Sequence, residues 1–190
     1  MNPLFGAAAD VQELCVERGW RFCFIGGLAV LRWGEPRLTR DVDLTILAPP
    51  GADVEIVDGL LGRFEARLED ARAFALENRV VLVQSNDGTP IDIALGALDF
   101  EARTVSRASP WDVGEAELRT CSAEDLVVHK VFAGREQDWL DVAGVVVRQG
   151  DALDRALVVD ELGPLLDAKG TADSLDRLQT LFREASGAPP

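Results

Sequence analysis

The run Arg40-Asp41-Val42-Asp43-Leu44-Thr45-Ile46-Leu47 constrains this chain more than any other segment. It reads as a buried strand that carries two aspartates one residue apart. Side chains alternate across a strand, so Asp41 and Asp43 share one face while Val42, Leu44 and Ile46 share the other. Two like charges this close repel unless a cation lies between them. Carboxylate oxygens suit a hard divalent ion, Mg²⁺ or Mn²⁺. The competing reading is a pair of strand-end carboxylates capped by Arg37 and Arg40.

The preceding segment narrows the choice. Phe22-Cys23-Phe24-Ile25 reads as a short apolar strand that ends in Gly26-Gly27. A helical stretch with Leu28, Ala29, Leu31 and Trp33 follows, then a break at Gly34 and Pro36. Glycines let a backbone approach a ligand closely, and a helix N-terminus presents unpaired N–H groups to an anion. Gly26 and Gly27 therefore read as a phosphate cradle one short helix ahead of the acidic pair. Taken alone, they read equally well as a plain strand-to-helix turn.

A third carboxylate lies further on. Residues 80–85 read as a strand, Asn86-Asp87-Gly88-Thr89-Pro90 as a hairpin turn, and Ile91-Asp92-Ile93-Ala94-Leu95 as the returning strand. Asp92 interrupts an apolar strand, and a carboxylate there is costly unless paired or metal-bound. It is either a third metal ligand or the partner of a nearby arginine. If its strand lies beside that of Asp41 and Asp43, all three carboxylates converge at one edge of a sheet.

Strands and helices alternate irregularly over residues 1–121, which predicts a mixed sheet flanked by helices, an α/β (α+β) core. Helices are expected over 7–18, 27–33, 53–64 and 69–78. Residues 98–106 read as a helix or an irregular crossing, and 115–120 as an edge strand. From Ser122 the chain turns helical, with helices expected near 123–133, 136–148, 152–167 and 171–185. Gly150, Gly163-Pro164 and Gly170 mark expected breaks or kinks, and the end Gly187-Ala188-Pro189-Pro190 is expected to fray. The organisation expected is thus a catalytic domain over 1–121 and a helical region over 122–190 packing on it.

The formal net charge of −14 weighs against a generic nucleic-acid binder, whose affinity comes largely from neutralising phosphates. A compact metal–nucleotide complex brings its own cations and tolerates an acidic protein better. No apolar run reaches membrane-spanning length, so no membrane association is expected. Cys15, Cys23 and Cys121 lack metal-ligand spacing and read as buried thiols of a cytoplasmic protein.

Gly26-Gly27, thirteen residues, Asp41-Val42-Asp43 and a later lone Asp92 resemble the nucleotidyltransferase superfamily of polymerase-β-like fold. The string Thr39-Arg40-Asp41-Val42-Asp43-Leu44 is similar to the AbiEii toxin branch of abortive-infection and toxin–antitoxin systems. So are the segment from Ala123 to Arg135, which carries Glu124-Asp125-Leu126 and Lys130, and Asp138-Trp139-Leu140-Asp141-Val142. The resemblance covers roughly residues 20–150. It implies transfer of an NMP from an NTP to an acceptor hydroxyl with release of pyrophosphate. It further implies that Asp41, Asp43 and Asp92 bind Mg²⁺ (or Mn²⁺), with Asp92 taking the hydroxyl proton. Gly26 and Gly27 would bind the phosphates. Many members have Gly-Ser here, whereas Gly27 offers only its backbone N–H.

The resemblance also places a phosphate-binding basic residue at Lys130; the alternative is a lysine snorkelling at a domain seam. Arg40 either clamps a phosphate or braces the acidic pair. Asp138 and Asp141, one helical turn apart, are expected to pair with Arg135 or Lys130 and orient them. His129 reads as structural. The acceptor implied by the AbiEii likeness is an RNA such as tRNA, with an antitoxin as a possible partner, whereas the acidity favours a protein or small-molecule acceptor of the antibiotic type. The rival function is a non-catalytic module that binds a nucleotide or partner on the same fold.

Overall fold

A computed structural model describes residues 2–185 and 187; the expected fraying at Ala188-Pro189-Pro190 lies outside the described residues. The chain divides into two compact units. One comprises the residues up to Leu28 together with Leu38–Cys121. The other comprises Ala29–Arg37 together with the residues from Ser122 onward.

In chain order the first unit contains α1 (Pro3–Glu17), β1 (Phe22–Phe24), the start of α2 (Gly26–Trp33), β2 (Val42–Leu47), α3 (Asp53–Leu61), β3 (Glu65–Ala66) and α4 (Ala71–Asn78). It continues with β4 (Val80–Gln84), β5 (Pro90–Gly96), α5 (Asp99–Arg107), β6 (Ser109–Asp112) and β7 (Glu117–Thr120). The strands form one seven-stranded sheet in the order β3-β4-β5-β2-β1-β7-β6. The β2/β5 and β1/β7 pairs are parallel and the other pairs antiparallel, which gives the mixed, helix-flanked sheet expected.

Period-two alternation fixes its faces. Val42, Leu44 and Ile46 on β2, Ile91 and Ile93 on β5, and Val81 and Val83 on β4 are fully buried. Each such side chain contributes roughly 1.5–3 kcal/mol on burial. The alternating positions Asp43 and Asp92 are only half-buried. On their face, at the far end of the strands, α5 closes over Gly96, where an added Cβ would meet Thr45 and Glu101.

Several bounds differ from the sequence reading for identifiable reasons. Helix α1 starts at Pro3 because Asn2 accepts the Leu4 N–H at 3.1 Å and proline suits the first helical turn. Residues 117–120 are not an edge strand, because β6 pairs outside them. Pro110 sits in that outer strand, where a missing N–H is tolerated. The two exposed residues of β3 carry no alternation to read.

The second unit holds α6 (Ala123–Ala133), α7 (Glu136–Gln149), a 3₁₀ turn (Gly150–Ala152), α8 (Arg155–Lys169) and α9 (Asp173–Ala185). Ser122 caps α6, its hydroxyl accepting the Asp125 N–H at 3.1 Å, and left-handed Gly134 ends it. Of the break or kink expected at Gly163-Pro164, a break does not occur: α8 runs through Pro164. Both Pro164 and Asp160, whose carbonyl loses its partner, are exposed, so water can satisfy that oxygen, while Leu162 and Leu166 are buried.

Candidate active site

The parallel pairing of β2 with β5 sets Asp43 directly opposite Asp92, one strand spacing of about 4.8 Å away. Both leave the sheet on the face opposite Leu44 and Ile93. Asp41 lies at a bend just before β2 and accepts a hydrogen bond from the Thr39 hydroxyl at 3.2 Å.

The Gly26-Gly27 turn lies against this pair. Ile25 donates its N–H to the Asp43 carbonyl at 2.9 Å, which brings the turn alongside β2. Gly26 has φ 55°, and a Cβ there would overlap Asp43 Oδ2; a Cβ on Gly27 would overlap Thr39 Oγ1. The Gly27 N–H donates to Asp43 Oδ2 at 3.4 Å, a long and weak bond. The positive φ and the packing against Asp43 therefore favour glycine at 26 whether or not a phosphate binds, while a side chain at 27 would have Thr39 give way.

Asp92 has an arginine partner. Arg67, just after β3, is held by its N–H to the Leu82 carbonyl at 3.1 Å, and Leu82 stands opposite Asp92. Its guanidinium Nη1 donates to Asp92 Oδ1. Thirty and 35 % of the two side chains remain exposed, so solvent screens this ion pair. Arg67 was not singled out in the sequence, because the segment around it has no periodicity. Arg40 is exposed, and Arg37, the other cap of the competing reading, pairs with Asp141.

Hard oxygen donors at Asp41, Asp43 and Asp92 fit a divalent cation in chemistry. The closed cluster is not preformed: among the described residues no three Asp, Glu, His or Cys side chains stand together as a metal site. Arg67 competes with a cation for Asp92 Oδ1.

The second unit contains a tight ionic network. Lys130 Nζ lies 3.0 Å from Asp138 Oδ1 and 2.8 Å from Asp141 Oδ2, and all three side chains are buried. Arg37 donates to both Asp141 oxygens at 2.7 and 2.9 Å, and Arg135 Nε donates to Asp138 Oδ2 at 2.7 Å. Lys130 is thus a buried, doubly paired cation and does not snorkel. Burial by itself would raise both carboxyl pKa values. The bonds from Arg37 and Lys130 outweigh it and hold Asp141 down at about 2, and those from Arg135 and Lys130 lower Asp138. His129 is half-buried on α6. Cys15, Cys23 and Cys121 are buried thiols, and burial pushes Cys15 up to about 12.

This fold has solved counterparts. A nucleotidyltransferase-like antigenic protein from Paracoccidioides brasiliensis superposes with a TM-score of 0.53 at 14% identity, over 92% of this chain and 91% of that one. That likeness defines a nucleotidyltransferase-like α/β fold. The lincomycin-bound lincosamide antibiotic adenylyltransferase LnuA is also similar, with a TM-score of 0.46 at 14% identity over 71% of this chain and 91% of that one. No curated protein sequence matches. The family model described as "Nucleotidyl transferase AbiEii toxin, Type IV TA system" matches residues 15–188, and the chain belongs to that family of nucleotidyltransferases. No helix among the described residues is long and apolar enough to cross a membrane.

Proposed function

We propose that the protein transfers a nucleoside monophosphate from a nucleoside triphosphate to an acceptor hydroxyl through a site at the Asp43/Asp92 end of β2 and β5. One observation carries this reading: two carboxylates stand in register on neighbouring strands against a Gly-Gly turn. An inert fold gains nothing from holding those charges together.

In this reading the acceptor oxygen attacks the α-phosphorus, the bond from that phosphorus to the bridging oxygen breaks, and pyrophosphate leaves. Asp92, released from Arg67, accepts the hydroxyl proton. Asp41, Asp43 and Asp92 would hold a divalent cation, Mg²⁺ or Mn²⁺, which when bound supplies charge neutralisation for the phosphates and lowers the acceptor pKa. The 3.4 Å bond from the Gly27 N–H is weak enough to yield to a phosphate oxygen. Gly26 contributes its backbone beside it. Arg40, exposed next to Asp41, is the adjoining phosphate ligand. Lys130 is assigned a phosphate on the family resemblance, with Asp138 and Asp141 as the groups that orient it. The division into a catalytic domain over 1–121 and a helical region over 122–190 belongs to the same proposal.

AbiEii membership supports a toxin acting in the cytoplasm, with an antitoxin as partner and an RNA such as tRNA as acceptor. The net charge of −14 favours a protein or small-molecule acceptor. Incubation of each labelled NTP and Mg²⁺ with a cell lysate separates these, because the labelled species names the acceptor. Label transfer by the native protein and its loss in Asp41→Ala and Asp43→Asn are expected. Equal labelling by all three proteins would remove the carboxylates from the reaction. In the absence of turnover, an NTP at a hundredfold excess over Kd would still raise stability by about 2.7 kcal/mol, which is the signature of the binding-module alternative.

A further inference from the structure

The first unit contains a cavity of about 730 Å³ at the opposite end of β2 and β5 from the carboxylates. Leu47 and Gly96, at the ends of these strands, line it. Leu47 is four residues from Asp43, roughly 13 Å along the strand. Asp41, Asp43 and Asp92 do not line the cavity, so the nucleotidyl-transfer chemistry leaves it without a role. Its volume lies within the roughly 300–1,000 Å³ of small-molecule pockets.

The lining combines an apolar wall with cations. Leu47, Pro49, Pro50, Ile56 and Leu98 supply the wall, and Trp20 adds an aromatic face. The Trp20 ring is seated against α3, where a Cβ on Gly59 would come within 2.8 Å of it. Arg18 and Arg21 stand at either side of Trp20 in the sequence and line the same cavity. Among the described residues neither guanidinium forms an ion pair or a side-chain hydrogen bond. Two uncommitted arginines at one cavity are unusual in a chain with 33 acidic and 19 basic residues. Glu55 and Asp99 also reach the lining, so the cationic side is the Arg18/Arg21 side.

The site is built in advance. Arg79 sits at its base with a left-handed backbone, φ 56°, the one non-glycine residue so placed among the described residues. Its guanidinium donates twice to the Leu95 carbonyl, at 3.1 and 2.9 Å, and once to Asp53 at 2.9 Å. Its own carbonyl accepts the Leu95 N–H at 2.9 Å. One strained residue thus fastens the end of β5 to the start of α3.

We infer that this cavity binds a small organic anion with an apolar or aromatic body, its negative group on Arg18 and Arg21 and its body against Trp20 and the Leu47–Pro50 wall. This is a second site, independent of the active-site assignment.

Anilinonaphthalene sulfonate is a fluorescent probe of this chemistry, and phenylnaphthylamine is its uncharged counterpart. The native protein is expected to bind the sulfonate one-to-one. The double variant Arg18→Ala/Arg21→Ala should weaken it by about tenfold or more, the effect of losing charge-assisted hydrogen bonds, while leaving phenylnaphthylamine unchanged. Both residues are exposed, so the fold should tolerate the change, checked by an unaltered thermal midpoint. Ala102→Trp, which fills the cavity, should abolish binding of both probes. Asp43→Asn should bind the sulfonate as the native protein does, so a failed active-site assignment and a failed cavity assignment give different results. No sulfonate binding, equal affinity in the double variant, or loss of binding in Asp43→Asn would each overturn the inference.

Discussion

The molecule carries two groups of acidic side chains that are treated in opposite ways. In the second unit Asp138 and Asp141 are buried, every oxygen is met by Lys130, Arg37 or Arg135 at ordinary bonding distance, and both pKa values are lowered. In the first unit Asp41 and Asp43 are half-buried, Asp41 accepting a longer bond of 3.2 Å, and Asp92 rests on a solvent-screened arginine. A carboxylate whose lone pairs are filled by protein cations is fixed in charge and place. A carboxylate that solvent reaches can exchange its partners for a cation. Sequence spacing makes the two groups look alike, since each pairs aspartates on one face of an element; the environment separates them.

The comparison can be broken most decisively at Asp43. Asp43→Asn is expected to lower nucleotidyl transfer by about 10³-fold while leaving the thermal midpoint nearly unchanged, as suits a group that acts on charge developing in the reaction. A large fall in midpoint with modest loss of rate would move Asp43 into the structural group. The converse holds for Lys130. Lys130→Met removes the cation between two buried carboxylates and should cost about 3 kcal/mol, a fall in Tm of roughly 10 °C by calorimetry. A smaller loss would mean that Arg37 and Arg135 suffice.

The Asp141 carboxyl sharpens the contrast through pH. Its folded pKa, about 2, lies below that of the unfolded chain, near the ordinary 3.8. The stabilisation is complete above the unfolded value and is lost as pH falls through the folded value, in total roughly 2 kcal/mol. Urea unfolding between pH 5 and pH 2 (both approximate limits of that titration) should show this slope, and Asp141→Asn should flatten it. The smallest effect belongs to Arg67→Ala. Stability should change by less than about 1 kcal/mol, because the pair is screened. Mn²⁺ binding, followed by electron paramagnetic resonance, should tighten as Asp92 loses its competitor. Weaker Mn²⁺ binding would instead make Arg67 part of the site.

Much of this was legible in the residues. Val42, Leu44 and Ile46 against Asp43, and Ile91 and Ile93 against Asp92, give the strands and their faces directly, because alternation is a local property. The neighbourhood of β2 and β5 was conditional in the sequence, since pairing of strands far apart in the chain depends on the whole sheet. Arg67 was invisible for a related reason: its contact with Asp92 arises from the short pairing of β3 with β4, which leaves no hydrophobic trace. The competing reading set Arg37 on the nearest acids along the chain, whereas a partner, Asp141, is over a hundred residues away. A helix bound failed where a cap decided it, at Asn2, whereas the helix read over 152–167 runs on through the exposed Pro164.

The alignment of β5 with its neighbours has a consequence for how this chemistry could be lost. A shift of one residue along β2 would turn Asp92 to the sheet's opposite side, among Ile46 and Leu44, and bring an isoleucine to Asp43's side. The turn that launches β5 is secured by the Ser85 hydroxyl and the Asp87 carboxylate, which accept the Thr89 N–H at 3.2 and 3.1 Å, and by Gly88 with φ 83°. A single-codon insertion or deletion in this solvent-facing bend could therefore silence the protein with every acidic residue still encoded.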